Sequence, residues 1–166
     1  EDFNYYVLDF SSATNPLEIA VYNAKGKKVR NLVDNQGQLE LAEEYGLQEK
    51  EYFEFETSEG VRLNGYMIKP ADFDPSKEYP LLMFVYGGPG SQTVRHQWQA
   101  GHEMWHHYMA QQGYIVASVD NRGTGHRGQE FKKMTYKRLG HYETLDQIEA
   151  AKYLGSLQYI DEERIG

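Results

Sequence analysis

The chain has 166 residues, 40% of them hydrophobic and 14% aromatic, with no cysteine and a formal net charge of −8. That apolar content supports a packed core and excludes a disordered segment, and the length holds one ordinary domain or a small piece of a larger protein. The acidic balance is the opposite of a nucleic-acid surface, and the lack of cysteine excludes disulfides and thiolate zinc sites.

Three short strands are expected first, "YYVLDF" (5–10), "LEIAVYN" (17–23) and "KVRNLVD" (28–34), all rich in β-branched and aromatic residues and separated by turn residues. Such a meander cannot bury its own face, so it reads as part of a propeller blade or sandwich. "QLELAEEYG" (38–46) reads as a brief helix closed by Gly46. "KEYFEFET" alternates apolar with polar residues, turns at Ser58-Glu59-Gly60 and returns as "VRLNGYMIK", a hairpin. "PADFDPSKEYP" (70–80), with three prolines, is a surface loop.

The pattern then changes. "LLMFVYGG" (81–88) is continuously apolar, as for a strand covered on both faces, and its apolar run is far too short for a bilayer, which takes about 20 residues. A helix over roughly 96–112 follows, then a second buried strand, "YIVASVD" (114–120), and after a loop the amphipathic "ETLDQIEAAKYLGSL" (143–157). Apolar strand, helix, apolar strand, helix indicates a parallel sheet with crossover helices. "DEERIG" (161–166) looks like the approach to a further strand, and "EDFNYYVLDF" lacks the layout of a secretory leader.

Two motifs suggest chemistry of other kinds. His102-Glu103-Met104-Trp105-His106 matches the zinc-metallopeptidase pattern, with both imidazoles on one helix face and Glu103 available to polarise water. A third ligand is needed; Met109 stands where the extended motif has glycine, and Glu130 or Glu143 is not singled out. The bland reading is a crossover helix whose Trp98, Trp105, Met109 and Gln112 stripe packs on the sheet, the histidines at its edge. Gly123-Thr124-Gly125-His126-Arg127-Gly128 spells a dinucleotide-binding turn, but Asp120, Asn121 and Arg122 separate it from its strand. The acidic residue expected at the end of a next strand is missing too, since Glu143 and Asp146 fall in a helix, so no cofactor is expected.

In open α/β sheets, chemistry gathers at the carboxyl ends of parallel strands, here "VYGGPGSQ" (85–92) and "VDNRGTGHRG" (119–128). Together with "LDQIEAAKYL" and "DEERIG", these stretches resemble the catalytic domain of the prolyl oligopeptidase family, above all its dipeptide-releasing branch, over about residues 48–166. The resemblance implies an α/β fold: β-propeller-like strands at 1–36, a connecting helix at 37–47, and the N-terminal part of an α/β-hydrolase domain at 48–166. It implies a Ser-Asp-His triad, the serine on a G-x-S-x-G elbow after the strand that "RIG" begins. None of the seven serines (Ser11, Ser12, Ser58, Ser76, Ser91, Ser118, Ser156) has glycines at both flanking positions of such an elbow, so the chain is expected to be an inactive fragment.

One catalytic position carries over by resemblance: Tyr86, whose hydroxyl would donate into the oxyanion hole. Gly87, Gly88, Asp120, Asn121, Arg122 and Gly123 are expected to scaffold the two loops, Asp and Arg bonding backbone amides and carbonyls. The parent would be a serine exopeptidase without metal or cofactor, releasing dipeptides from peptides with penultimate Pro or Ala. It would be a homodimer, periplasmic or on the cell surface, and an unpaired sheet edge would favour self-association. The alternatives are a non-catalytic hydrolase-like binding module and, behind it, a zinc metallopeptidase.

Overall fold

The computed structural model describes residues 3–98 and 103–166. The chain divides into two compact units, Glu1–Glu49 with His96–Met104, and Lys50–Arg95 with Trp105–Gly166.

The first unit holds an antiparallel sheet of three strands in chain order, β1 (Tyr5–Ser12), β2 (Asn15–Asn23) and β3 (Lys28–Val33). The first turn is tighter than the sequence suggests, because β1 and β2 pair as far as Ser12 opposite Asn15, leaving Ala13 and Thr14 between them. The second turn is organised by Asn23, whose Oδ1 accepts from the amides of Lys25 and Lys27, both at 3.0 Å. Tyr6 and Tyr22 stack across the strands at 5.6 Å. β1 and β3 are largely exposed, with Tyr5, Val7, Phe10, Val29 and Leu32 open to solvent. Helix α1 (Gly37–Glu44) ends at Gly46 as expected: the Leu47 amide reaches the Ala42 carbonyl and the Gly46 amide that of Glu43.

The second unit is a five-stranded mixed sheet built from β4 (Glu51–Glu56), β5 (Arg62–Ile68), β6 (Tyr79–Met83), β7 (Ile115–Asp120) and β8 (Ile160–Ile165). Its order is β4-β5-β7-β6-β8; β5 runs antiparallel to β4 and β7, while β6 is parallel to β7 and β8. Alternation along the strands sends side chains to opposite faces. Leu63 and Met67 of β5 join Leu81, Ile115, Ala117 and Val119 on the face covered by helix α4 (His141–Gly155), through its Ala150 and Leu154. Tyr66 and Ile68 point the other way, against Ala110 of helix α2 (Glu103–Gln111). All six residues of β7 are therefore buried, as a central parallel strand requires.

Four expectations need correction. The apolar run 81–88 is not all strand: β6 stops at Met83, only Leu81 is fully buried, and Tyr86 is 73% exposed. Past Met83 the Phe84 amide still donates to the Ala117 carbonyl at 2.8 Å, while the Phe84 carbonyl accepts from the Ser118 hydroxyl at 2.8 Å. Nor does a helix span 96–112. Among the described residues α2 begins at Glu103, and 93–95 are loop, held by Asp120 at the Thr93 and Val94 amides and by the Tyr52 hydroxyl at the Arg95 carbonyl. The face of α2 buried in its unit carries His106, His107 and Ala110, whereas Trp105 is half exposed, so the tryptophan stripe does not pack on the sheet. His106 is accommodated by a hydrogen bond between its Nδ1 and the Tyr66 hydroxyl (3.3 Å) and by the Phe84 ring at 4.8 Å. The terminal letters also belong to a strand already under way, β8, rather than to its approach.

Candidate active site

The carboxyl ends of β6 and β7 bring two loops together, 84–95 and 121–127. Three side chains at the end of β7 tie the first loop down. Asp120 accepts from the Thr93 amide and hydroxyl, both at 2.8 Å, and from the Val94 amide at 3.0 Å. The Ser118 hydroxyl meets Thr93 Oγ1 at 2.9 Å as well as the Phe84 carbonyl. Asn121, fully buried, donates from Nδ2 to the carbonyls of Gly87 (3.0 Å) and Arg122 (2.7 Å). Within the loop, the Ser91 hydroxyl and amide both bond the Gly88 carbonyl, at 2.5 and 3.0 Å, and the Ser91 carbonyl accepts from the Gly125 amide at 2.8 Å.

Gly87 needs to be glycine twice over. Its φ is +73°, and a Cβ there would stand 2.6 Å from Asn121 Oδ1. Gly123 is in the same position, with φ +97° and a hypothetical Cβ 2.5 Å from Thr135. Gly88, by contrast, has open space where a Cβ would go.

Arg122 bonds differently from expectation, to carboxylates rather than carbonyls. Its Nη2 lies 2.6 Å and its Nε 2.9 Å from Asp146 Oδ1, its amide 2.7 Å from Asp146 Oδ2, and its Nη1 2.6 Å from Glu59. The Tyr142 ring covers the guanidinium at 4.6 Å. Burial pulls the Arg122 pKa down, but the hydrogen bonds to Asp146 and Glu59 outweigh it and the net shift is upward. Asp146 is itself wholly buried. The turn of the second loop is thus pinned to α4 and to the β4–β5 hairpin at once.

Tyr86 emerges from this braced loop three residues beyond β6. The carboxyl end of β8 pairs with β6 in the sheet: the Met83 amide donates to the Gly166 carbonyl at 2.7 Å, and the Gly166 amide to the Leu81 carbonyl at 3.0 Å.

The two competing motifs look different in three dimensions. The Gly123 and Gly125 amides are donated to the carbonyls of Phe131 (3.1 Å) and Ser91, so they do not form an open phosphate cradle. Glu143 accepts from the Gly140 amide at 2.9 Å, capping α4, and Asp146 is taken by Arg122. Of the zinc motif, His102 lies outside the described residues and His106 is bonded to Tyr66; among the described residues no three metal-ligating side chains cluster.

Ser118, Thr93, Gln147 and Glu59 did not stand out in the sequence. Asp146 carried a signal that was available: it precedes Ala150 and Leu154 at four-residue spacing, a carboxylate on an otherwise apolar helix stripe.

Residues 102–166 match the prolyl oligopeptidase family model. A probable dipeptidyl peptidase 4 of Emericella nidulans is 38% identical over 164 residues, 97% of this chain and 21% of that protein. The dipeptidyl peptidase 4 of Trichophyton equinum is 34% identical over 165 residues, covering 98% of this chain and 21% of that protein. Among solved structures, the crystal structure of Porphyromonas gingivalis dipeptidyl peptidase 4 matches with a TM-score of 0.92 and 44% identity, over 99% of this chain and 23% of that one. The chain therefore spans about a fifth of the length of these relatives. With sequence and fold in agreement along almost its whole length, the chain belongs to the prolyl oligopeptidase family.

Proposed function

We propose that the chain forms part of a serine exopeptidase that releases Xaa-Pro and Xaa-Ala dipeptides from peptide amino termini, and that Tyr86 supplies an oxyanion-hole hydroxyl. One observation carries this reading: Tyr86 is exposed and lies three residues past the carboxyl end of β6, the strand that pairs with the carboxyl end of β8. In α/β-hydrolases the nucleophile elbow follows a strand end at this rim, which brings the serine and the phenol to one tetrahedral intermediate. One such donor is typically worth about 3 kcal/mol, or some hundred- to thousandfold in kcat. Gly87, Gly88, Asp120, Arg122 and Gly123 serve as the scaffold that aims it. Strands β1–β3 are the last strands of a propeller, α1 the connection, and residues 48–166 the first part of the hydrolase domain.

In the intact peptidase, Tyr86→Phe lowers kcat by the hundredfold order just given while the melting temperature holds; unchanged turnover would reject the role. The 166-residue chain alone carries no G-x-S-x-G elbow and should leave a Gly-Pro chromogenic substrate uncleaved. Clear turnover by the chain would overturn its reading as an inactive part.

The same reading makes the protein a homodimer of the periplasm or cell surface. In the 166-residue chain by itself, β8 ends the sheet with one side unpaired among the described residues, which favours self-association of that chain. Sedimentation that stays monomeric at every concentration would contradict self-association, and recovery of the intact protein in the cytoplasmic fraction would contradict the compartment.

A further inference from the structure

We propose that Asn121 is a positioning residue for the Tyr86 hydroxyl, acting through the Gly87 carbonyl, with Gln147 fixing the orientation of its carboxamide. The inference rests on the reading of Tyr86 as an oxyanion donor. The Tyr86 side chain is largely in solvent, so its placement depends on the backbone that carries it. That backbone is gripped one residue on. Asn121 uses both protons of Nδ2 on the Gly87 and Arg122 carbonyls, and its Oδ1 accepts from Gln147 Nε2 at 3.1 Å. Gln147 also donates from Nε2 to the Val119 carbonyl at 3.0 Å. Helix α4 and the fully buried strand β7 thereby set the carboxamide, and the carboxamide sets the Gly87–Gly88 peptide, one residue beyond Tyr86.

The chemistry selects asparagine. Aspartate would turn oxygen towards two carbonyls, and leucine would leave both carbonyls buried without a donor. The fit with Gly87 is mutual, because the Asn121 Oδ1 atom occupies the space a Cβ at 87 would need. Asn121 touches no reacting atom; it acts through another residue, and a displacement of about 1 Å at a catalytic group can cost a hundredfold in rate.

The test is a double-mutant cycle in the intact peptidase, with Asn121→Ala, Tyr86→Phe and the pair, measuring kcat and KM on a Gly-Pro chromogenic substrate and melting temperature on each. Asn121→Ala is expected to lower kcat by about ten- to a hundredfold with KM held within roughly twofold. In the Tyr86→Phe background the same substitution should lower kcat by less than about twofold, because the group it positions is gone. Equal losses in both backgrounds, an effect on KM alone, or no loss of kcat would overturn the proposal while leaving the role of Tyr86 standing. A silent Tyr86→Phe would overturn that role, and the positioning with it. Should Asn121→Ala not fold, Gln147→Met keeps the side-chain volume and removes the orienting donor. It should give a smaller kcat loss with the same non-additivity, and a kcat equal to the parent's would refute the mechanism.

Discussion

Replacing Asp146 by asparagine should expose how much of the second unit depends on one buried ion pair. Arg122 is 3% exposed and Asp146 wholly buried, and the carboxylate accepts both from the guanidinium and from the Arg122 amide. Asparagine keeps the shape, removes the charge and turns an NH₂ group towards a cation. Removing one partner of a buried pair costs about 3–5 kcal/mol, because the remaining charge is left uncompensated. Glu59 still holds Nη1, but its side chain is 54% exposed and already shares its field with water. The lower end, about 3 kcal/mol, is therefore expected. Against a typical total of roughly 5–15 kcal/mol this is a large fraction. With a urea slope of about 2 kcal/mol per M, the unfolding midpoint should fall by about 1.5 M, read by far-ultraviolet circular dichroism and tryptophan fluorescence. Arg122→Met with Asp146→Leu removes both charges and should recover part of the loss. A midpoint shift under about 0.3 M in Asp146→Asn, or a double variant as unstable as the single one, would refute the reasoning.

Further outcomes follow from single contacts. Gly65 lies opposite Phe53 in the β4–β5 ladder, and a Cβ there would fall 2.3 Å from the ring, so Gly65→Ala should cost about 1–3 kcal/mol by overpacking. Phe53→Leu in the same chain should return some of the lost melting temperature; no recovery would contradict the steric cause. Gly123→Ala combines a positive φ with the Thr135 contact and should lower the urea midpoint clearly, whereas Gly88→Ala should leave stability within about 0.5 kcal/mol. Equal effects at the two positions would contradict this. Glu149 accepts from the Ser58 amide at 2.9 Å and from Lys152 at 3.1 Å, and the Ser58 bond foremost holds its carboxyl below the usual 4.5. Since the folded value lies below the unfolded one, its contribution is complete above about pH 4.5 and disappears as pH falls through the folded value. The difference in urea midpoint between the parent and Glu149→Gln should therefore shrink as pH falls below about 4.5, and a constant difference would contradict it.

Element type and sequence were legible in the chain because burial dictates them. β7 is apolar at nearly every position since helices cover both faces of the sheet there, and the β4–β5 hairpin alternates because one face is wet. What was not legible depends on side chains reaching backbone groups far along the chain. The Ser118 hydroxyl, 34 residues from Phe84, holds the Phe84 carbonyl where β6 stops short of the end of its apolar run. Helix α2 buries two histidines and exposes Trp105, an inversion that hydropathy alone cannot anticipate, because the Tyr66 hydroxyl satisfies His106 from another strand. The candidate site was readable at Tyr86 and its glycines through motif resemblance. Asn121 was legible as part of the turn, but its partners Gly87 and Gln147, and the Arg122–Asp146 pair, lie 24 to 34 residues apart, which local pattern does not encode.

The most direct measurement is a crystal structure of the intact protein carrying a tetrahedral adduct on the proposed nucleophilic serine, formed with a Pro-boronate or phosphonate. The Tyr86 Oη should lie about 2.7–3.1 Å from the adduct oxygen that stands in for the oxyanion, with the Gly87 carbonyl still held by Asn121. An adduct oxygen bonded only by other groups, with the phenol pointing away into solvent, would contradict the assignment.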